Sequence, residues 1–261
     1  MRRFAIVMPI LALLAGGAGS WVRFLELKYV FEAGLPLRGA MITYALIALV
    51  AVFLVVSLVI AQRAGFGHYA PEGFDNSFGT DSLAYPFMFS LFCIVWLAAT
   101  VKYFIDIDSW YVFPTSGLYF SILSGLAALS MMLFAIEVFQ DPRRKTALAL
   151  SVAPIVFMCF WLILLYKQNA SNPILLSYCY YCLAVIFSSL SFYFTAGFVF
   201  SKPAPGKAVF SYLASIFFCL VTMADDHALS IKLILGAITA INVVHSYMLI
   251  RNLRKKAVVE E

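Results

Sequence analysis

The sequence predicts an all-α, polytopic integral membrane protein, a bundle of about eight transmembrane helices with the N and C termini cytoplasmic. Three observations predict it. Hydrophobic residues make up 64% of the 261 residues and charged residues only 12%, against about 45–50% and about 25% in soluble domains. So little polar surface leaves most of the chain unfit to face water. The apolar runs reach the roughly 20 residues that a helix needs to cross a hydrocarbon core of about 30 Å. They are also continuous rather than alternating, which selects helices over a barrel, the other structure that satisfies its own backbone in lipid.

The spans are expected at 4–22, 40–62, 83–101, 116–139, 147–166, 174–201, 208–224 and 233–250. Between the first two, residues 21–33 have helix-forming character and extend the first helix beyond the membrane, until Gly34-Leu35-Pro36 ends it. Met1-Arg2-Arg3, followed by an apolar run and Gly16-Gly17-Ala18-Gly19-Ser20, also admits a cleaved signal peptide, which would leave seven spans. The segment 63–82 holds Gly65, Gly67, Pro71, Gly73 and Gly79 and is expected to be irregular. Pro154 in the fifth span and Gly197 in the sixth mark places where a helix could be broken. No water-soluble domain is expected, and residues 1–261 read as one membrane domain. Ile122-Leu123-Ser124-Gly125 and Leu233-Ile234-Leu235-Gly236, each followed at the same distance by a basic triplet, hint at a weak repeat of four helices, 1–145 and 146–261.

Charge sets the orientation. Twelve Lys and Arg fall on the side of both chain ends and six on the other, so the richer side is expected to be cytoplasmic and the membrane the plasma membrane. The net charge of +5 therefore reads as topogenic and implies the lipid bilayer as partner, with no nucleic acid. The five cysteines lie within apolar runs without the spacing of a disulfide framework or a zinc site. They read first as small buried hydrophobes.

Polar groups inside a membrane are costly and mark sites worth testing. In the eighth span, Asn242, His245 and Ser246 share a face at i, i+3 and i+4. The sixth span carries Ser188, Ser189, Ser191 and Thr195 among many hydroxyls. These residues either line a cavity or hydrogen-bond between packed helices. Glu137, one turn from the cytoplasmic end of its span, is expected to snorkel or to pair with a nearby base. On the outer side, Arg23 and Glu26 at i, i+3 are expected to form an ion pair. Glu32, Asp225, Asp226 and His227 lie on the same side. Such groups suit a hard or a transition cation, but Asp225-Asp226-His227 reads first as a solvated turn balanced by Lys232. No H-E-x-x-H, G-x-S-x-G or P-loop pattern occurs, so no enzyme, metal or cofactor is indicated.

The segment Arg23-Phe24-Leu25-Glu26, then Phe31-Glu32-Ala33-Gly34-Leu35-Pro36 up to Gly39, with Glu72-Gly73-Phe74-Asp75 after the second span, resembles an uncharacterised family of multi-spanning membrane proteins from anaerobic Gram-positive bacteria. The resemblance covers about the first third of the chain and the general architecture. It implies that Arg23, Glu26, Phe31, Glu32, Gly34 and Gly39 build a defined outer structure, and it implies no activity. Two functions are expected from the residues themselves. One is a carrier or permease-like protein for a small solute. The alternative is a non-catalytic membrane subunit or sensor that docks partner proteins.

Overall fold

A computed structural model describes residues 2–32, 35–36, 40–66, 68–69, 74–78, 84–106, 114–140 and 146–255. Eight of its helices are long and apolar enough to cross a membrane, so the protein is a polytopic helical bundle. The helices are α1 (Arg2–Tyr29), α2 (Met41–Phe66), α4 (Ala84–Asp106), α5 (Pro114–Gln140), α6 (Thr146–Asn169), α7 (Cys179–Val199), α8 (Pro205–Thr222) and α9 (Leu229–Asn252), with a short helix α3 (Phe74–Phe78) between α2 and α4.

Local chemistry explains the ends of several elements. Pro205 occupies the first turn of α8, where its missing N–H costs nothing. Helix α7 stops at Ser201, which has a φ of 56°. There the Lys202 N–H donates to the Gly197 carbonyl at 2.7 Å and the Ser201 N–H to the Phe198 carbonyl at 3.2 Å. This double closure satisfies the last carbonyls and ends the helix. Gly197 thus belongs to a helix end, not to a break in mid-membrane. Helix α6 runs unbroken through Pro154.

Helix α1 continues to Tyr29, as its composition predicts. A β1–β2 pairing follows, in which Phe31 and Glu32 lie antiparallel to Pro36 and Leu35. The segment after α2 is more ordered than its glycines suggest. His68-Tyr69 (β3) pairs with Arg254-Lys255 (β4) beyond α9, and α3 lies against α9 and α7. Phe74 and Phe78, at i and i+4, give α3 an apolar face that is buried. The Asn252 side chain donates to the Ser77 carbonyl at 3.1 Å. Burial of two phenyl rings explains why a helix of five residues forms in a stretch rich in helix breakers.

Helices α8 and α9 are the most buried spans and α2 the least. Helix α8 packs against α1, α2, α7 and α9, and α9 also against α1 and α4; α4 to α7 pack in sequence. Helix α1 approaches α8 closely because Gly16 and Gly19 face it. A Cβ on Gly16 would lie 2.8 Å from Leu220 Cδ1 and 3.3 Å from Phe217 Cα, and one on Gly19 would lie 2.7 Å from Val221 Cγ2. Such small residues let backbones meet where no hydrophobic effect drives association. The interior is aromatic: Trp96, Phe120, Phe157, Trp161 and Phe192 are all buried, with Phe120 and Trp161 edge to face at 5.2 Å. Among the cysteines, Cys93 and Cys219 are buried, Cys179 and Cys182 partly so, and Cys159 is exposed. For Cys159 the expectation of burial is corrected: position 159 lies on the outward face of α6.

Candidate functional site

Two buried polar centres lie in the bundle. The first is at the end where α1 finishes and α8 turns into α9. Arg23 is fully buried on α1, and its Nη1 donates to Glu26 Oε2 at 2.7 Å. This is the ion pair that the i, i+3 spacing predicts. Arg23 Nε also donates to Asp225 Oδ1 at 2.8 Å, across 202 residues of sequence. Its third nitrogen, Nη2, donates to the Ser177 carbonyl at 3.4 Å. The guanidinium lies 5.0 Å from the ring centroid of Tyr180 and 5.8 Å from that of Phe31, within reach of a cation–π interaction.

This corrects the reading of Asp225-Asp226-His227 as a solvated turn. Asp226 is exposed, but Asp225 is buried and faces inward. His227 stands over Tyr181, with ring centroids 4.3 Å apart, and its Nε2 lies 3.9 Å from Asp225 Oδ2. The physical reason is the guanidinium on α1, which gives a carboxylate in the turn a partner that a sequence window cannot show. Burial raises the Asp225 carboxyl above its ordinary range against the pull of Arg23, and Glu26 pushes the same way. Burial, with Lys232 and Arg23 nearby, lowers the His227 imidazole to about 4. Glu26 Oε1, Asp225 Oδ2 and His227 Nε2 are buried without a hydrogen-bond partner among the described residues. No group of three metal-ligating side chains occurs among them. The Glu32 backbone sits in the β1–β2 pairing; its side chain, that of Glu137, and Gly34 and Gly39 lie outside the described residues.

The second centre is a polar seam inside the bundle. Asn242 Nδ2 donates to Ser215 Oγ at 2.8 Å, and Ser215 Oγ lies 2.8 Å from Ser188 Oγ. Ser188 also donates back to the Ala184 carbonyl at 2.7 Å. Thr195 Oγ1 and the Tyr212 hydroxyl are 2.6 Å apart. Helices α7, α8 and α9 are thus joined by hydroxyls and one carboxamide. Ser191 and Ser246 bond to their own helices, donating to the Ser188 and Val243 carbonyls. Ser189 is only partly buried, and no hydrogen bond to the seam is seen. The sequence does not single out Ser215 and Tyr212, on the seventh span, because nothing in that span's composition distinguishes them from packing residues.

Beside this seam, one helical turn from Asn242, stands His245. It is fully buried, and neither ring nitrogen has a hydrogen-bond partner among the described residues. Its ring is surrounded by Phe89 at 5.2 Å, Phe78 at 5.5 Å and Tyr212 at 5.8 Å. Asn242 Oδ1 and the Tyr85 hydroxyl are also buried and unpartnered; Tyr85 packs on Phe89 with ring centroids 5.7 Å apart. A buried polar atom left without a partner costs about 1–3 kcal/mol. Tyr85, Asn242 and His245 carry four such atoms among the described residues. Phe78 of α3 covers His245 from the end at which α9 finishes.

No family model, curated protein or solved structure matches the chain.

Proposed function

We propose that the protein is a carrier for a small, neutral, hydrogen-bonding solute in the plasma membrane, with both chain ends in the cytoplasm. One observation carries this reading: Asn242 Oδ1, both nitrogens of His245 and the Tyr85 hydroxyl are buried with no partner among the described residues, and Phe89 packs on both Tyr85 and His245. Together they offer a carboxamide acceptor, a neutral imidazole with one donor and one acceptor, and a phenol. The aromatic walls from Phe78, Phe89 and Tyr212 suit a compact ligand with an apolar side. The seam of Ser188, Ser215 and Asn242 holds α7, α8 and α9 together behind it.

The test is a thermal-shift screen of the purified, solubilised protein against amino acids, nucleosides, sugars, vitamins and metal ions. A solute that binds the folded state raises the melting temperature by mass action. The expected result is a reproducible shift that Asn242→Leu and His245→Leu abolish, with matching loss of uptake into proteoliposomes. No shift with any solute, or uptake that both variants leave intact, sinks the reading.

A second reading, a subunit that docks a partner, is favoured by α2. It is the least buried span and exposes Met41, Tyr44, Val52, Val55 and Val56. A groove of about 470 Å³ runs between α1, α2 and α8, lined by Leu49, Val52, Phe53, Val56 and Leu213 among others. A stoichiometric partner retained after gentle solubilisation would support it, and a clean monomer or homodimer would count against it.

A further inference from the structure

Among the described residues, the ionic centre around Arg23 has more acids than bases in direct contact. One guanidinium faces two carboxylates, Glu26 on its own helix and Asp225 from the α8–α9 turn, at 2.7 and 2.8 Å. With both acids ionised the buried group carries one excess negative charge. Each acid also keeps a buried oxygen, Glu26 Oε1 and Asp225 Oδ2, that no described group partners. Glu26 is fully buried and Asp225 is 5% exposed. Two carboxylates sharing a desolvated site cannot both ionise freely, and the proton affinity of one rises.

We propose that this centre is a binding site for one proton, held on Asp225 Oδ2 and directed at His227 Nε2. In the step, a hydronium ion at the membrane surface gives up its proton, an O–H bond forms at Oδ2, and water leaves. The acceptor is Asp225 because its Oδ2 and His227 Nε2, 3.9 Å apart and both buried, lie in the turn, next to the exposed Asp226. Glu26 sits deeper on α1. His227 accepts the resulting hydrogen bond once the 3.9 Å gap closes to hydrogen-bond reach, and it does not itself become charged, since it faces Arg23 and Lys232. That assignment agrees with the direction in which burial moves both groups, the carboxyl up and the imidazole down. Among the described residues, the other titratable or charged groups facing the site are Cys179, Tyr180 and Tyr181 of α7, and Asp226 and Lys232 beside the turn. Thiols and phenols are ordinarily uncharged from neutral to acid pH. Protonation cancels the excess charge and weakens the Arg23–Asp225 link, so the turn is held less firmly to α1.

The inference does not depend on carriage of a solute, and its test uses none. The full-length protein, reconstituted in lipid, is titrated from neutral to acid pH while the carboxylic-acid carbonyl stretch is followed by infrared difference spectroscopy. A protonated carboxyl band is expected at a pH clearly above that of ordinary aspartates. Protein made with ¹³C-labelled aspartate is expected to show that band displaced to lower frequency, a measurement that needs no substitution. Asp225→Asn removes the band. Glu26→Gln, which takes away the neighbouring negative charge, lowers the proton affinity about tenfold or more. The proposal is overturned by the absence of such a band in the wild-type protein. It is equally overturned by a band that the aspartate label does not move, or by a midpoint unchanged in folded Glu26→Gln.

Discussion

Arg23 is held by two acids, a backbone carbonyl and two aromatic faces, and its environment decides what its replacement costs. Removing one partner of a buried ion pair leaves the remaining charge desolvated, at about 3–5 kcal/mol. Arg23→Met strands both Glu26 and Asp225 and is expected to lower stability by at least that much, read from unfolding of the solubilised protein. Asp226→Asn, one residue along but exposed, is expected to change stability by less than about 0.5 kcal/mol. The contrast measures how differently two adjacent acids are placed. The Arg23–Glu26 pair was legible in the sequence because i, i+3 spacing on a helix is a local rule. The third member was not, because Asp225 stands 202 residues away, and an Asp-Asp-His turn looks like any solvated turn. Asn242, His245 and Ser246 were legible as one face of a helix. Whether that face met water, solute or protein depended on α4 and α8, which periodicity does not position.

At the scale of elements, the spans were readable because lipid forces each crossing to be long, apolar and helical. Helix α3 was not, because two phenylalanines among glycines and a proline carry no periodic signal; only the face of α9 makes a place for them. Phe78 seals His245, so Phe78→Ala is expected to raise acylation of His245 by a histidine-directed reagent severalfold, measured by mass spectrometry of its peptide. The same change costs about 3–5 kcal/mol as a large-to-small substitution. The crossing of α1 and α8 makes a different demand. Gly16→Ile places side-chain atoms where Leu220 and the Phe217 backbone already stand. It is expected to push α1 away and destabilise the protein by about 1–3 kcal/mol. Because α1 carries Arg23, the acid titration at Asp225 should change with it. Gly17, whose Cβ would meet nothing within 4 Å, is the matched control and should accept alanine.

Across the whole molecule, burial is uneven. Helices α8 and α9 form the centre, and α2 stands at the rim with most of its surface outward. Composition separates these roles only in part: the peripheral α2 is the most apolar span and the central α8 the least. What also differs is the pattern of small and polar residues on the buried faces, such as Ser211, Ser215, Asn242 and Ser246 on α8 and α9. The basic residues of the two ends predict that single cysteines placed near Lys207 and near Asp226 label from opposite sides of the membrane, the first from the cytoplasm. The reverse pattern would invert the orientation that charge predicts.

The tie between Arg23 and Asp225 also sets a timetable. Synthesis delivers α1 long before the α8–α9 turn. At roughly 5–20 residues per second, the 202 residues between them take roughly 10 to 40 s to emerge. Throughout that interval the first helix carries a guanidinium with only one of its two acidic partners, and its glycine face has no α8 to meet. The early chain must therefore keep Arg23 near the headgroups or in the shelter of the insertion machinery. Maturation is then less a sequence of finished hairpins than the return of the α8–α9 hairpin to α1.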